Sequence, residues 1–174
     1  LSVDRDGYET LMEVARETSR STSEVDLKMQ LPPETLGALA SQQIAPTDDT
    51  KKYTPTPCSS VIKAIWDGQS LVERTTTEIC GIIVDATPFY ADAGGQIGDT
   101  GCLRSIEEND TEVFEVQETH SFGGYVLHIG CSKNGSFVCE QTVSAEISDA
   151  RPHIESNHTF THVLNHALRG VLGD

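Results

Sequence analysis

From residue 60 to about residue 148 the chain alternates short apolar runs with turn-forming pairs, a pattern that leaves few folds open to it. Val61, Ile62, Ala64, Ile65 and Trp66 form one strand, and Asp67-Gly68 marks a tight turn into Leu71-Val72. Further strands are expected over residues 78–85, 102–106, 112–118, 124–129, 137–140 and 143–147, with Gly123-Gly124 and Asn134-Gly135 as hairpin signals. Short strands at this spacing predict a small closed antiparallel β-barrel, because closure leaves no edge open to pair with another chain. No internal repeat is evident.

Helices flank this region, so the expected class is α+β. Residues 4–20 carry Tyr8, Leu11, Val14 and Ala15 at helical spacing, with Asp4 or Asp6 as cap; the Ser/Thr-rich stretch 18–24 breaks the pattern. A second helix is expected to begin at Pro32-Pro33, since proline is tolerated in a first turn, with Leu36, Leu39, Ala40 and Ile44 on one side. The final helix is expected to start at a Ser156 or Asn157 cap. Its apolar face, Phe160, Val163, Leu164, Ala167, Leu168 and Val171, is too broad for a solvated helix and calls for a partner surface. The organisation is therefore a helical connector (1–46), a proline-rich linker (47–59), a barrel (60–150) and a last segment (151–174). Both ends read as cuts in a longer protein.

The net charge of −15, from 12 basic and 27 acidic residues, repels phosphate backbones, so this chain is not expected to hold nucleic acid unaided. Cys58, Cys80, Cys102, Cys131 and Cys139 match no zinc-binding spacing and read as reduced thiols of a cytosolic protein. No signal peptide or membrane-spanning run is seen, and no membrane partner is expected.

Two segments carry candidate chemistry. His158 and His162 lie four residues apart, on one face of a helix, where two imidazoles can hold one metal ion. A closed zinc site takes four ligands and a catalytic one at least three from the protein, so the pair is half a site. His166 extends the series, but His158 and His166 would lie roughly 12 Å apart along the axis, too far to share one ion. His162 could pair with either neighbour. The second segment, Phe89 to Gly101, holds four glycines in thirteen residues and so allows close approach of backbone to a ligand. It lacks the Lys-Ser/Thr ending of a phosphate-binding loop.

Together these segments closely resemble the alanyl-tRNA synthetases, in Thr87-Pro88-Phe89-Tyr90-Ala91, Gly94-Gly95-Gln96, Gly98-Asp99 and Gly101, then Asn157-His158-Thr159, Thr161-His162, Leu164 and Ala167-Leu168-Arg169. Residues 47–53, 78–81 and 123–130 add to the resemblance, which is strong from Thr47 onward and looser over residues 1–46. It implies an enzyme that joins alanine to tRNA(Ala) with ATP and Mg in a catalytic domain whose motifs are not in this sequence, and that clears wrongly charged tRNA in a zinc-dependent editing domain. Residues 1–46 would then be the end of the tRNA-binding helices, the barrel a relative of the second domain of translation elongation factors, and residues 151–174 the first helix of the editing domain. His158 and His162 would hold zinc with a later Cys and His, Thr161 would line the editing pocket, and Gly94, Gly95 and Gln96 would contact the substrate. Phe160 and His166 depart from the family, which has a small residue and an apolar one there. The rival readings are a free-standing deacylase of mischarged tRNA, which shares both motifs, and a non-catalytic module on a translation-factor-like barrel. In either family reading the location is the cytoplasm.

Overall fold

The computed structural model describes residues 5, 7–14, 16, 29–54, 56–76, 78–106 and 111–173. Seven strands form one antiparallel sheet: β1 (Cys58–Trp66), β2 (Leu71–Val72), β3 (Cys80–Val84), β4 (Gly101–Ser105), β5 (Val113–Phe122), β6 (Tyr125–Asn134) and β7 (Thr142–Ile147). The order is β2-β1-β3-β6-β5-β4-β7, and β7 pairs back onto β1, so the sheet closes into a barrel with β2 as an extra strand. The helices are α1 (residues 7–14), α2 (Pro33–Ser41) and α3 (Arg151–Leu172), with a 3-10 helix over Thr50–Tyr53. The expected α+β class and closed barrel are both found.

Closure depends on β1 changing partners. Residues 58–61 pair with β7 and residues 62–66 with β3, with a register shift between Ile62 and Ala64 where the strand bends around the barrel. Ile62, Ile65, Ile82, Val84, Leu103 and Phe114 fill the interior. Gly123 and Gly124, at φ 58° and 89°, make the β5–β6 turn of the kind that matches strand twist. At the predicted Asp67-Gly68 turn, Asp67 Oδ1 accepts the N–H groups of Gln69 and Ser70 at 2.8 and 2.7 Å.

Residues 137–140, expected as a strand, are not one. Phe137 donates its N–H to Thr75 Oγ1 at 2.9 Å and accepts the Thr75 N–H at 2.8 Å. This draws its ring fully into the core, edge-on to Phe114 at 6.1 Å. Asn134-Gly135 therefore turns the chain toward Thr75 instead of closing a hairpin. Burial of one phenyl ring outweighs the local turn signal.

α2 begins with Pro33 as expected and lies on the outside of the barrel. Leu39, with Leu36 and Ile44 beside it, covers Ala64, Trp66, Ile83, Tyr125 and Leu127. β3 is consequently buried on both faces. Ala40 is exposed, and Thr35 takes the buried place expected of it. The helix ends in a Schellman pattern: Ile44 N–H reaches Leu39 O at 3.1 Å, Gln43 N–H reaches Ala40 O at 3.0 Å, and Gln43 sits at φ 59°. A left-handed Gln is strained, so Gln43→Gly should raise stability by roughly 0.5–1 kcal/mol. A urea midpoint unchanged or lowered would show that the Gln43 side chain holds something in place.

The chain after α2 is stitched to the barrel. Thr47 Oγ1 donates to Val84 O at 3.0 Å and accepts from Val126 N–H at 3.1 Å, and Asp48 exchanges backbone bonds with Asp85 and Thr87. In α1, Tyr8, Leu11 and Val14 are all exposed. Asp4, Asp6, Ala15 and residues 18–24 lie outside the described residues. Among the described residues no helix is long and apolar enough to cross a membrane. The cysteines are free; Cys58 and Cys80 are buried, and burial pushes the Cys80 thiol up to about 12, which leaves it protonated and inert.

Candidate functional site

The glycine-rich segment leaves β3, loops out and returns as β4. Its tip is a two-residue turn in which Ala93 and Gln96 exchange both backbone bonds, at 3.3 and 3.0 Å. Gly94 and Gly95 supply the positive φ angles, 62° and 83°. A Cβ on either would meet nothing within 4 Å, so conformation rather than crowding calls for glycine there. The neck of the loop is tight. Asp99 N–H donates to Tyr90 O at 2.9 Å, Tyr90 N–H to Asp99 Oδ2 at 2.7 Å, and Thr119 Oγ1 to Asp99 O at 2.7 Å.

α3 starts at Arg151, well before the Ser156 or Asn157 cap expected from sequence. Pro152 sits in the first turn, where its missing N–H costs nothing, and no side chain caps the helix. Cap residues are a strong sequence signal, but neither Ser156 nor Asn157 acts as one: Ser156 Oγ bonds back to Pro152 O at 2.7 Å, and Asn157 lies inside the helix. Arg151 is buried among otherwise exposed neighbours; Ile154 and His158 are half-buried. Its guanidinium meets Asp99 Oδ2 at 3.1 Å, Glu155 at 2.8 Å, Pro88 O at 3.3 Å and Lys52 O. Burial pushes the Asp99 carboxyl above the ordinary carboxylate range, with the Tyr90 N–H and the Arg151 charge pulling the other way.

Between loop and helix lies a cleft of about 260 Å³ lined by Gly94, Gly95, Gln96, Ile97, Ile154, Asn157, His158, Thr161 and His162. The expected site residues Gly94, Gly95, Gln96, His158, Thr161 and His162 all border this one cleft, whereas His166 and Phe160 do not. Ile97, Ile154 and Arg151 carry no expectation from the sequence, and Asn157 and Asp99 enter it only as a candidate cap and as motif residues, not as neighbours in one site. Ile154 could have been found, since it precedes His158 and Thr161 on the same helical stripe.

His162 pairs with His158, Nε2 to Nε2 at 3.3 Å, with the rings edge-on. Two nitrogens each about 2.05 Å from a tetrahedral zinc ion stand about 3.3 Å apart, so the pair has the bite such an ion requires. Among the described residues no group of three or more His, Cys, Asp or Glu side chains is placed to hold one ion. These two imidazoles thus fit zinc as part of a ligand set. Thr161 Oγ1 donates to Asn157 O at 2.9 Å, which leaves its oxygen as an acceptor at the cleft wall. Phe160, Val163, Leu164, Leu168 and Val171 are exposed, so the apolar face of α3 has no cover among the described residues.

With this geometry in hand, comparison with known proteins is specific. The family model described as tRNA synthetases class II (A) matches residues 1–151. The chain belongs to that family. Within it the chain is similar to alanine–tRNA ligases. It is 40% identical over 187 residues to the cytoplasmic alanine–tRNA ligase of Dictyostelium discoideum, covering 99% of the chain and 19% of that protein. It is 34% identical to the alanine–tRNA ligase of Schizosaccharomyces pombe and 35% identical to that of Pseudomonas syringae, in each case over 100% of the chain and 19% of the relative. The chain thus spans about a fifth of the length of these relatives.

Proposed function

We infer that the chain is a central part of an alanine–tRNA ligase, and that its cleft is one wall of a pocket that hydrolyses tRNA wrongly charged with serine or glycine. The observation that carries this reading is the meeting of two segments far apart in sequence, Gly94–Gln96 and His158–His162, in one cleft. ATP, Mg, alanine and the body of tRNA(Ala) are partners of other parts of the ligase, and the cytoplasm is the expected compartment.

His158 and His162 would hold zinc, completed by ligands from elsewhere in the ligase. When bound there, zinc would supply a Lewis acid that polarises an ester carbonyl. The Thr161 hydroxyl has spent its proton on Asn157 O, so it offers a lone pair that a serine hydroxyl can satisfy and an alanine methyl cannot. A site that hydrogen-bonds a substrate hydroxyl discriminates strongly against the analogue lacking it. The type of turn at Gly94–Gly95 leaves space over its backbone for the charged end of the tRNA to come close. The helical segment packed on the barrel disfavours a free-standing deacylase.

With only two imidazoles, zinc affinity should be far below that of a closed site. The dialysed chain is expected to carry well under one zinc per molecule, and to give no hydrolysis of serine-charged tRNA. The whole ligase is expected to hydrolyse it, more slowly by about tenfold or more after Thr161→Val. Hydrolysis by the chain alone at a rate near that of the whole ligase would sink this reading, as would a Thr161→Val ligase with unchanged preference for serine over alanine.

A further inference from the structure

We propose that Arg151 and Asp99 are a positioning pair: they clamp the first turn of α3 to the neck of the glycine-rich loop and thereby set the width of the cleft. The proposal rests on the functional reading above for its consequence, but not for its geometry.

The clamp joins four separate places. Arg151 reaches Asp99 at the loop's exit, Pro88 O at its entrance, Lys52 O in the 3-10 helix, and Glu155 one turn along its own helix. The side chain of Arg151 is 4% exposed and that of Asp99 is fully buried. Next to them, Thr100 and Ser148 bond to each other through both hydroxyls and backbone, at 2.8 Å each. Residues 154–171 of α3 are all exposed or half-buried, so little else among the described residues fixes the helix's direction.

Position on the helix makes this anchor matter. Arg151, Ile154, His158 and Thr161 follow at i, i+3, i+7 and i+10, a single stripe that faces the loop. His162 lies about 16 Å beyond Arg151 along the axis, so a tilt of about 10° at the anchor moves it by about 3 Å. A misplacement of about 1 Å is enough to cost about a hundredfold in rate at a reacting centre.

Stability does not explain the pair. A buried ion pair is often no better than an apolar substitute of the same shape, and a lone carboxylate oxygen without a partner is a cost. Asp99 Oδ1 has no hydrogen-bond partner among the described residues. What the pair does supply is direction: a planar guanidinium with donors in fixed positions meets acceptors on three other segments, and a lysine could not reproduce that fork.

The test uses nitroxide labels on Asp92→Cys in the loop and Asn165→Cys on α3, with Cys102, Cys131 and Cys139 changed to serine. The parent should give one narrow distance distribution. Arg151→Lys and Asp99→Asn should each broaden it about twofold or more or shift its mean, while Glu155→Ala, which cuts a bond inside the helix, should not. Zinc affinity of the His158–His162 pair should stay within about twofold, because both imidazoles ride on one helix. Barrel melting followed by Trp66 fluorescence identifies the temperature range in which each variant is folded; if Arg151→Lys does not fold, Asp99→Asn decides. A folded variant with the parent's distance distribution overturns the proposal. In the whole ligase the same variants should slow hydrolysis of serine-charged tRNA about a hundredfold. Broadened distances with undiminished hydrolysis would leave the clamp standing and bring down the functional reading instead.

Discussion

Gly130→Ala is expected to destabilise the barrel by about 4 kcal/mol or more, at the far end of what one methyl group does. Gly130 lies in β6 between Cys80 of β3 and Val116 of β5. Opposite it, β5 carries an irregularity, with the register shifting between Val116 and Glu118. A β-bulge pushes its strand toward the partner, and here the partner has no side chain. A Cβ at residue 130 would lie 1.8 Å from Glu115 O, 2.8 Å from Glu115 C and 3.2 Å from Val116 Cα. All three are backbone atoms, so no side chain can swing aside. Either the ladder on this side of β6 separates or the bulge is lost, and closure of the barrel needs both. For a chain of this size such a loss lowers Tm by about 8 °C or more. Gly37→Ala in α2 is the control: nothing lies within 4 Å of its would-be Cβ, and alanine there should gain about 0.5–1 kcal/mol. Thermal and urea unfolding of both variants check this pair of signs. A Gly130→Ala protein within about 1 kcal/mol of the parent would mean the β5 backbone yields more easily than a closed sheet should.

Gly130 also shows where sequence reading stops. That a strand ran to residue 129 was readable from its apolar run, and the Gly123-Gly124 turn from its two glycines. That the next glycine admits another strand's backbone depends on a partner chosen across the barrel, which no local pattern encodes. The same holds for β1, whose apolar residues announce a strand but not its change of partner at Ile62. The β-prone neighbours of Phe137 predict a strand there, but its burial is decided by Thr75, far away in the chain. Cap residues predict the start of α3 too late, because caps are local signals and Arg151 is held by distant groups. The cleft is a mixed case. His158 and His162 share a helix face by periodicity alone, whereas Gly94–Gln96 are tied to them only through the family resemblance, and Arg151–Asp99 leaves no local signal because nothing in spacing connects residues 99 and 151.

The remaining large effect concerns acid. His128 is fully buried, Nδ1 to Ile82 O at 3.0 Å, Nε2 to Thr87 Oγ1 at 2.8 Å, and edge-on to Phe89 at 5.0 Å. A carbonyl oxygen only accepts, so Nδ1 carries the proton and Nε2 accepts from the threonine hydroxyl. The neutral ring is thereby fully used, and a charged one would have to sit inside the barrel wall without water. Burial accordingly lowers its pKa from 6.5 to about 4, the bond to Ile82 O acting weakly in the other direction. The folded pKa is below the unfolded one, so between the two values the unfolded chain binds a proton that the folded chain does not. Stability from this group is complete above pH 6.5 and drains away as pH falls toward 4, by about 3 kcal/mol in all. The excess of acidic groups works against this trend, since partial neutralisation relieves self-repulsion in a chain of net charge −15. His128→Gln separates the two: it should be less stable than the parent at pH 7.5 but should lose about 3 kcal/mol less on going to pH 4. Urea unfolding of parent and variant at pH 7.5, 6, 5 and 4 measures the difference in slope. Parallel stability curves over that range would show that His128 is protonated in the fold as readily as in the open chain, and would contradict the hydrogen-bonding pattern assigned to its ring.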